Sequence, residues 1–226
     1  MEVAILAPLA AGLVAGLIHV LSGPDHLAAM APLAASSRRR GWVAGSSWGL
    51  GHTAGVWAVA GVSLLCRGIL PLDRLSSWGE RAVGAMLIGV GLWGLRHAWR
   101  FHAHEHEHGG LRHRHLHLHL ARSARGQAHV PHAHTHAAIG IGALHGLAGS
   151  SHLLGILPAL ALPTTAAAVQ YVLAFGVGSI AAMTAFSAGI GALAGRFEVG
   201  ARRAHGWLLA SCSGAAVLVG CFWLAR

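Results

Sequence analysis

The chain contains no lysine. All 16 of its basic residues are arginine, only seven acids stand against them, and charged side chains make up 10% of its 226 residues. A soluble domain carries roughly 25%, so this chain has too few ionisable groups to cover a water-facing surface. Cysteine is as scarce. Cys66, Cys212 and Cys221 form no CxxC pair and lie in or beside apolar runs, which excludes a disulfide framework and a thiol-redox motif. The chain has no Walker A loop, so ATP does not drive it directly, and no HExxH helix of a zinc hydrolase. Met1-Glu2-Val3 lacks the basic segment of a signal peptide and reads as the start of a span retained in the mature protein. The net charge of +9 does not argue for a nucleic-acid partner, because the arginines cluster at the ends of apolar runs.

What the chain does have is apolar length. Hydrophobic residues reach 54%, and the mean hydropathy is +0.57. Six apolar stretches, at about 3–35, 42–66, 78–99, 137–162, 167–195 and 205–225, compare with the roughly 20 residues that one membrane span needs. The expected fold is an all-α integral membrane protein of six transmembrane helices. The first stretch is too long for one straight helix, and Ser22-Gly23-Pro24 predicts a break inside it. Twelve of the arginines, Arg38 to Arg40 and Arg96 among them, fall on one side of such a topology. Arginine counting therefore places the polar middle of the chain in the cytoplasm and both termini outside, in a cell inner (plasma) membrane. Trp42, Trp78, Trp99, Trp207 and Trp223 stand near span ends, as interfacial anchors do.

The two apolar halves repeat each other. His19, Leu21, Gly23, His26, Leu27 and Pro32 match His145, Leu147, Gly149, His152, Leu153 and Pro158 at an offset of 126. Trp48-Gly49-Leu50-Gly51 resembles Phe175-Gly176-Val177-Gly178 at an offset of 127. The chain thus divides into a first three-helix repeat (1–96), a His-rich cytoplasmic loop (97–136) and a second three-helix repeat (137–226). With three spans per repeat the second copy enters the membrane inverted, with the first and fourth helices broken. In inverted repeats, sites form at mid-membrane where broken helices meet.

The chemistry concentrates there. Asp25 is the only acid well inside an apolar run, and an ionisable group at that depth is a functional residue by default. His19, Asp25 and His26 are the expected primary ligands of a metal ion. On an unbroken helix His19 and His26 would lie about 10 Å apart along the axis, so the break has to fold one toward the other. His52, His145 and His152 are expected to complete the site or its gate. Ser151 stands where the first copy has Asp25. Imidazoles with one carboxylate and no thiolate favour Ni, Co, Zn or Cu(II) over Mg, Ca or Cu(I). The loop holds 13 of the 19 histidines, in alternating runs such as His102 to His108 and His113 to His119, and is expected to buffer metal. Gly12, Gly16, Gly41, Gly45 and Gly49 are expected to let helices approach closely.

At His19…Asp25-His26, Gly49-Leu50-Gly51-His52 and the His-rich loop, the sequence resembles the nickel/cobalt transporter superfamily, including its short urease- and hydrogenase-associated permeases. The spacing here, His-x5-Asp-His, is one residue longer than that family's His-x4-Asp-His. The resemblance implies a permease that carries Ni2+ or Co2+, most simply by uptake, with efflux as the alternative direction and a metal sensor or storage protein as the competing class. It implies no enzyme activity and no prosthetic group, and as partners the lipid bilayer, the divalent ion and cytoplasmic nickel chaperones.

Overall fold

A computed structural model describes residues 2–37, 40–65, 72–100, 107–108, 111–112, 132–148, 150–196 and 202–225. Eight helices account for nearly all of them: α1 (Glu2–Ser22), α2 (Pro24–Ser37), α3 (Gly41–Leu65), α4 (Leu72–Arg100), α5 (His132–Ala148), α6 (Ser150–Ala161), α7 (Thr165–Arg196) and α8 (Arg202–Leu224). The exception is a two-residue antiparallel pair, β1 (Glu107–His108) and β2 (Leu111–Arg112), in which Glu107 faces Arg112.

The expected break is present. α1 stops at Ser22, α2 starts at Pro24, and the two meet at 72° across Gly23. Proline fits the first helical position because its missing N–H would have no partner there. The backbone loses little at the bend. The Gly23 N–H donates to the His19 and Val20 carbonyls at 3.1 and 3.3 Å, and its own carbonyl accepts from the His26 and Leu27 N–H at 3.1 and 3.3 Å. α5 and α6 are separated at the equivalent place in the second half. Thr164 caps the start of α7, its hydroxyl accepting from the Ala167 N–H at 3.1 Å.

The all-helical expectation holds, whereas six spans are not shown. Among the described residues, two helices are long and apolar enough to cross a membrane, Thr165–Arg196 and Ala204–Leu224. A third span results if the bent pair Leu6–Ser22 and Pro24–Ser37 is one crossing. α3 has the length but is diluted by Gly41, Gly45, Gly49, Gly51, Gly55 and Gly61 and by Ser46, Ser47, His52 and Thr53. α4 carries Asp73, Arg74, Glu80, Arg81, Arg96 and Arg100, and His136–Ala148 is short.

Helix packing respects the repeat. α1 packs on α7 and α5 packs on α3, which is the same contact with the halves exchanged; α4 on α8 and α3 on α7 map onto themselves. Individual glycines agree. A Cβ at Gly16 would run into the Phe175 carbonyl, and one at Gly142 into the Trp48 carbonyl. A Cβ at Gly178 would meet the Leu13 carbonyl, and one at Gly51 the Ile139 carbonyl. These are two pairs of equivalent contacts at the offsets read in the sequence. Gly41 and Gly45 press likewise on Ser187 and Met183 of α7. The interior between these helices is filled by Val20, Met30, Trp48, Leu87 and Met183 in one cluster and Val56, Ile156, Tyr171 and Phe175 in another. The outside is apolar as well: Leu6, Ile18, Leu50, Leu144, Val177 and Leu218 are exposed, as are Trp42, Trp78, Trp99 and Trp207. Exposed apolar side chains in such number mark a surface that meets a membrane or a protein partner. Trp223 alone of the five expected anchors turns partly inward, against the first cluster.

Candidate metal centre

Four helices converge on one point. His19 lies in the last turn of α1, Asp25 and His26 in the first turn of α2, His52 midway along α3, and His145 in the last turn of α5. The bend at Gly23 makes this convergence possible, bringing the His19 and His26 rings to 4.6 Å between centroids.

The arrangement follows the repeat. His19 and His145 are equivalent residues of the two halves, and His26 stands between them, 4.6 Å from each ring. His52 lies 5.9 Å from His19 and 5.8 Å from His145. Two histidines of the first half therefore sit equidistant from the symmetry-related pair. Asp25 breaks that symmetry. Its Oδ1 lies 3.1 Å from His26 Nδ1 and its Oδ2 lies 3.5 Å from His145 Nε2. On the other side of the ring, His26 Nε2 lies 3.2 Å from His52 Nε2.

Asp25, His26, His52 and His145 are buried, and His19 is partly exposed. Two sets of three could hold an ion, each with ligand atoms within 4.8 Å of one another: His19, His26 and His52, or Asp25, His26 and His145. They share His26. Tetrahedral zinc with bonds of about 2.0–2.1 Å sets neighbouring ligand nitrogens about 3.3 Å apart, and the 3.2 Å hydrogen-bond distance between His26 Nε2 and His52 Nε2 matches that spacing.

Five of the six expected ligands thus come together. The sixth, His152, stands on α6, and its side chain lies outside the described residues. The expected primary set of His19, Asp25 and His26 divides between the two groups, His19 falling with His26 and His52 and Asp25 with His26 and His145. Aromatic walls close the cluster, as spacing between ligands alone did not indicate. Phe175 packs on His19 at 5.2 Å and Trp48 on His145 at 6.1 Å. Trp48 and Phe175 are equivalent in the repeat, which is the sequence signal that could have found them. The expected loop is shorter than 97–136: α4 runs to Arg100, His97 stacks on Trp93 at 5.5 Å, and His132, His134 and His136 belong to α5. The runs from His102 to His106 and from His113 to His119 lie outside the described residues.

No family model and no solved structure matches the chain. Two curated proteins of Arabidopsis thaliana are similar to it. Chloroplast protein FOR GROWTH AND FERTILITY 1 is 34% identical over 181 residues, covering 80% of this chain and 48% of the relative. Chloroplast protein FOR GROWTH AND FERTILITY 2 is 31% identical over 181 residues, covering 80% of this chain and 46% of the relative. The chain spans about half the length of these curated relatives. They overturn the resemblance to the nickel/cobalt transporter superfamily. A likeness that runs through 80% of the chain outweighs a three-residue motif whose spacing already departed by one. The nickel or cobalt permease, in uptake or efflux, and the sensor or storage alternative fall with it. The plasma membrane is likewise not supported, since the relatives are named for the chloroplast. What the chain is similar to is this pair of chloroplast growth and fertility proteins.

Proposed function

We propose that the chain is a membrane-embedded protein that binds one divalent transition-metal ion in the cluster of His19, Asp25, His26, His52 and His145. The observation that carries this reading is the convergence of four imidazoles and one carboxylate from four helices at a buried point. Such a donor set suits Zn2+ and its first-row neighbours, and burying it in an apolar protein without a function would cost several kcal/mol per group by order of magnitude. Six crossings as two inverted repeats, with α1/α2 and α5/α6 as broken spans, are part of the proposal. The exchange of helix contacts between halves and the apolar outer surface support them. The lipid bilayer is then the partner of the outer surface. The reading is binding and not catalysis, because Asp25 is engaged by two imidazoles and is not placed as a general base. His152 is a further ligand candidate by its place in the repeat.

The test is the tight-binding stoichiometry of Zn2+ on the detergent-solubilised full chain against a competing chelator. A variant carrying His26→Gln and His52→Gln should bind one tight ion fewer than wild type. Equal stoichiometry in both would refute the reading.

A further inference from the structure

The two ligand sets cannot be filled together, because each needs His26. We infer that His19, His26 and His52 hold the ion, and that Asp25 is a positioning residue which fixes His26 and His145 around it; this rests on the metal-binding reading above. Asp25 Oδ1 lies at hydrogen-bond distance from His26 Nδ1, 3.1 Å, and Oδ2 at the longer ion-pair distance of 3.5 Å from His145 Nε2. A carboxylate accepts, so the His26 ring carries its proton on Nδ1 and presents the lone pair of Nε2. That nitrogen faces His52 Nε2 at 3.2 Å. A carboxylate–histidine–metal chain of this form orients the ring and raises its basicity.

Two further observations separate the sets. Gly23 borders the Nδ1–Oδ1 edge and leaves no room for a side chain there: a Cβ would run into His26 Nδ1 and lie 3.0 Å from Asp25 Oδ1. Burial differs as well: Asp25, His26 and His145 are all buried, whereas the imidazole set includes the partly exposed His19, whose Nε2 is nonetheless enclosed. Asp25 then supplies the negative charge a divalent ion needs, one imidazole away.

The experiment uses the full chain in detergent with Co2+ as a spectroscopic probe and Zn2+ in chelator competition. X-ray absorption of the zinc-loaded wild type should count three imidazoles. Asp25→Asn should keep one ion per chain and the wild-type cobalt spectrum, while affinity falls between about 10- and 100-fold. His145→Gln should act in the same direction, and His19→Gln and His52→Gln should change the spectrum. The assignment is overturned if wild type shows two imidazoles, or if Asp25→Asn and His145→Gln alter the spectrum and His19→Gln and His52→Gln leave it. Because the imidazole count is taken on wild type, a variant that fails to fold does not decide the matter. A wild type that holds no tight ion overturns the metal-binding reading itself, and this assignment with it.

Discussion

Gly55→Ala tests whether packing and site are one construction. Gly55 stands three residues after His52 on α3 and faces α5 on either side of His145. A Cβ added there would lie 2.6 Å from the Ala143 carbonyl oxygen, 2.8 Å from the Leu147 nitrogen and 2.9 Å from the Gly146 carbonyl carbon. All three are backbone atoms, so no side chain can swing away. The closest approach falls about 0.8 Å short of ordinary van der Waals contact, and α3 and α5 have to part by a similar amount. Overpacking of this kind costs roughly 1–3 kcal/mol, or about 2–12 °C of melting temperature for a chain of this length. The same movement draws His52 from His145, so metal affinity should fall as well. Gly61→Ala on the same helix is the control, since nothing lies within 4 Å of its added Cβ; it should be neutral or slightly stabilising through helix propensity. The assay is thermal unfolding in detergent, followed by chelator competition on the folded protein. If Gly55→Ala melts with Gly61→Ala and binds as tightly, α3 and α5 are not in backbone contact at this point.

Thr53→Val and Trp57→Phe each remove a hydrogen bond from α3 to α7, Thr53 Oγ1 to the Gly176 carbonyl at 3.2 Å and Trp57 Nε1 to the Val172 carbonyl at 3.0 Å. Each should lower stability by about 0.6 kcal/mol, the average for such bonds between membrane helices, and a loss above 3 kcal/mol would contradict that. Gly23→Ala pushes a methyl group onto His26 Nδ1 and Asp25; affinity for Zn2+ should drop at least tenfold while the fold survives, and unchanged affinity would place the Asp25–His26 edge elsewhere. Replacing the histidines from His102 to His119 by serine should remove weakly held ions and leave one tight ion per chain, read by metal analysis after chelator dialysis. Loss of the tight ion would move the centre to the loop.

The bend was legible because Gly23 and Pro24 punctuate an otherwise apolar run, and the structure ends and restarts the helix at those residues. The convergence of His19, Asp25, His26 and His145 was legible from the repeat, which sets His19 and His145 at equivalent places of the two halves. The role of His52 beside His26 was only suggested by depth. Its 3.2 Å approach depends on how α3 seats against α2 and α5, which no periodicity within one helix encodes. The division of the ligands was not legible at all. Adjacent Asp25 and His26 look like partners on one ion, and only the ring's orientation shows that one side of His26 faces the carboxylate and the other His52. The span count is not shown by helix composition alone: α3 is buried through its glycines and small polar residues, so protein neighbours take the place of an apolar composition. The resemblance to nickel/cobalt permeases rested on His, Asp and Gly residues, which any buried His/Asp site in a glycine-rich helix bundle would share.

The central claim is that the cluster between α1, α2, α3 and α5 holds a metal ion. Anomalous diffraction at the zinc edge, from crystals of the zinc-loaded full chain, tests it most directly. One strong peak is expected inside the bundle, about 2.0–2.1 Å from nitrogens of His19, His26 and His52, with Asp25 next to His26 and outside bonding distance of the ion. A bundle with no peak among these residues, and anomalous signal confined to the histidines between residues 101 and 131, would contradict it.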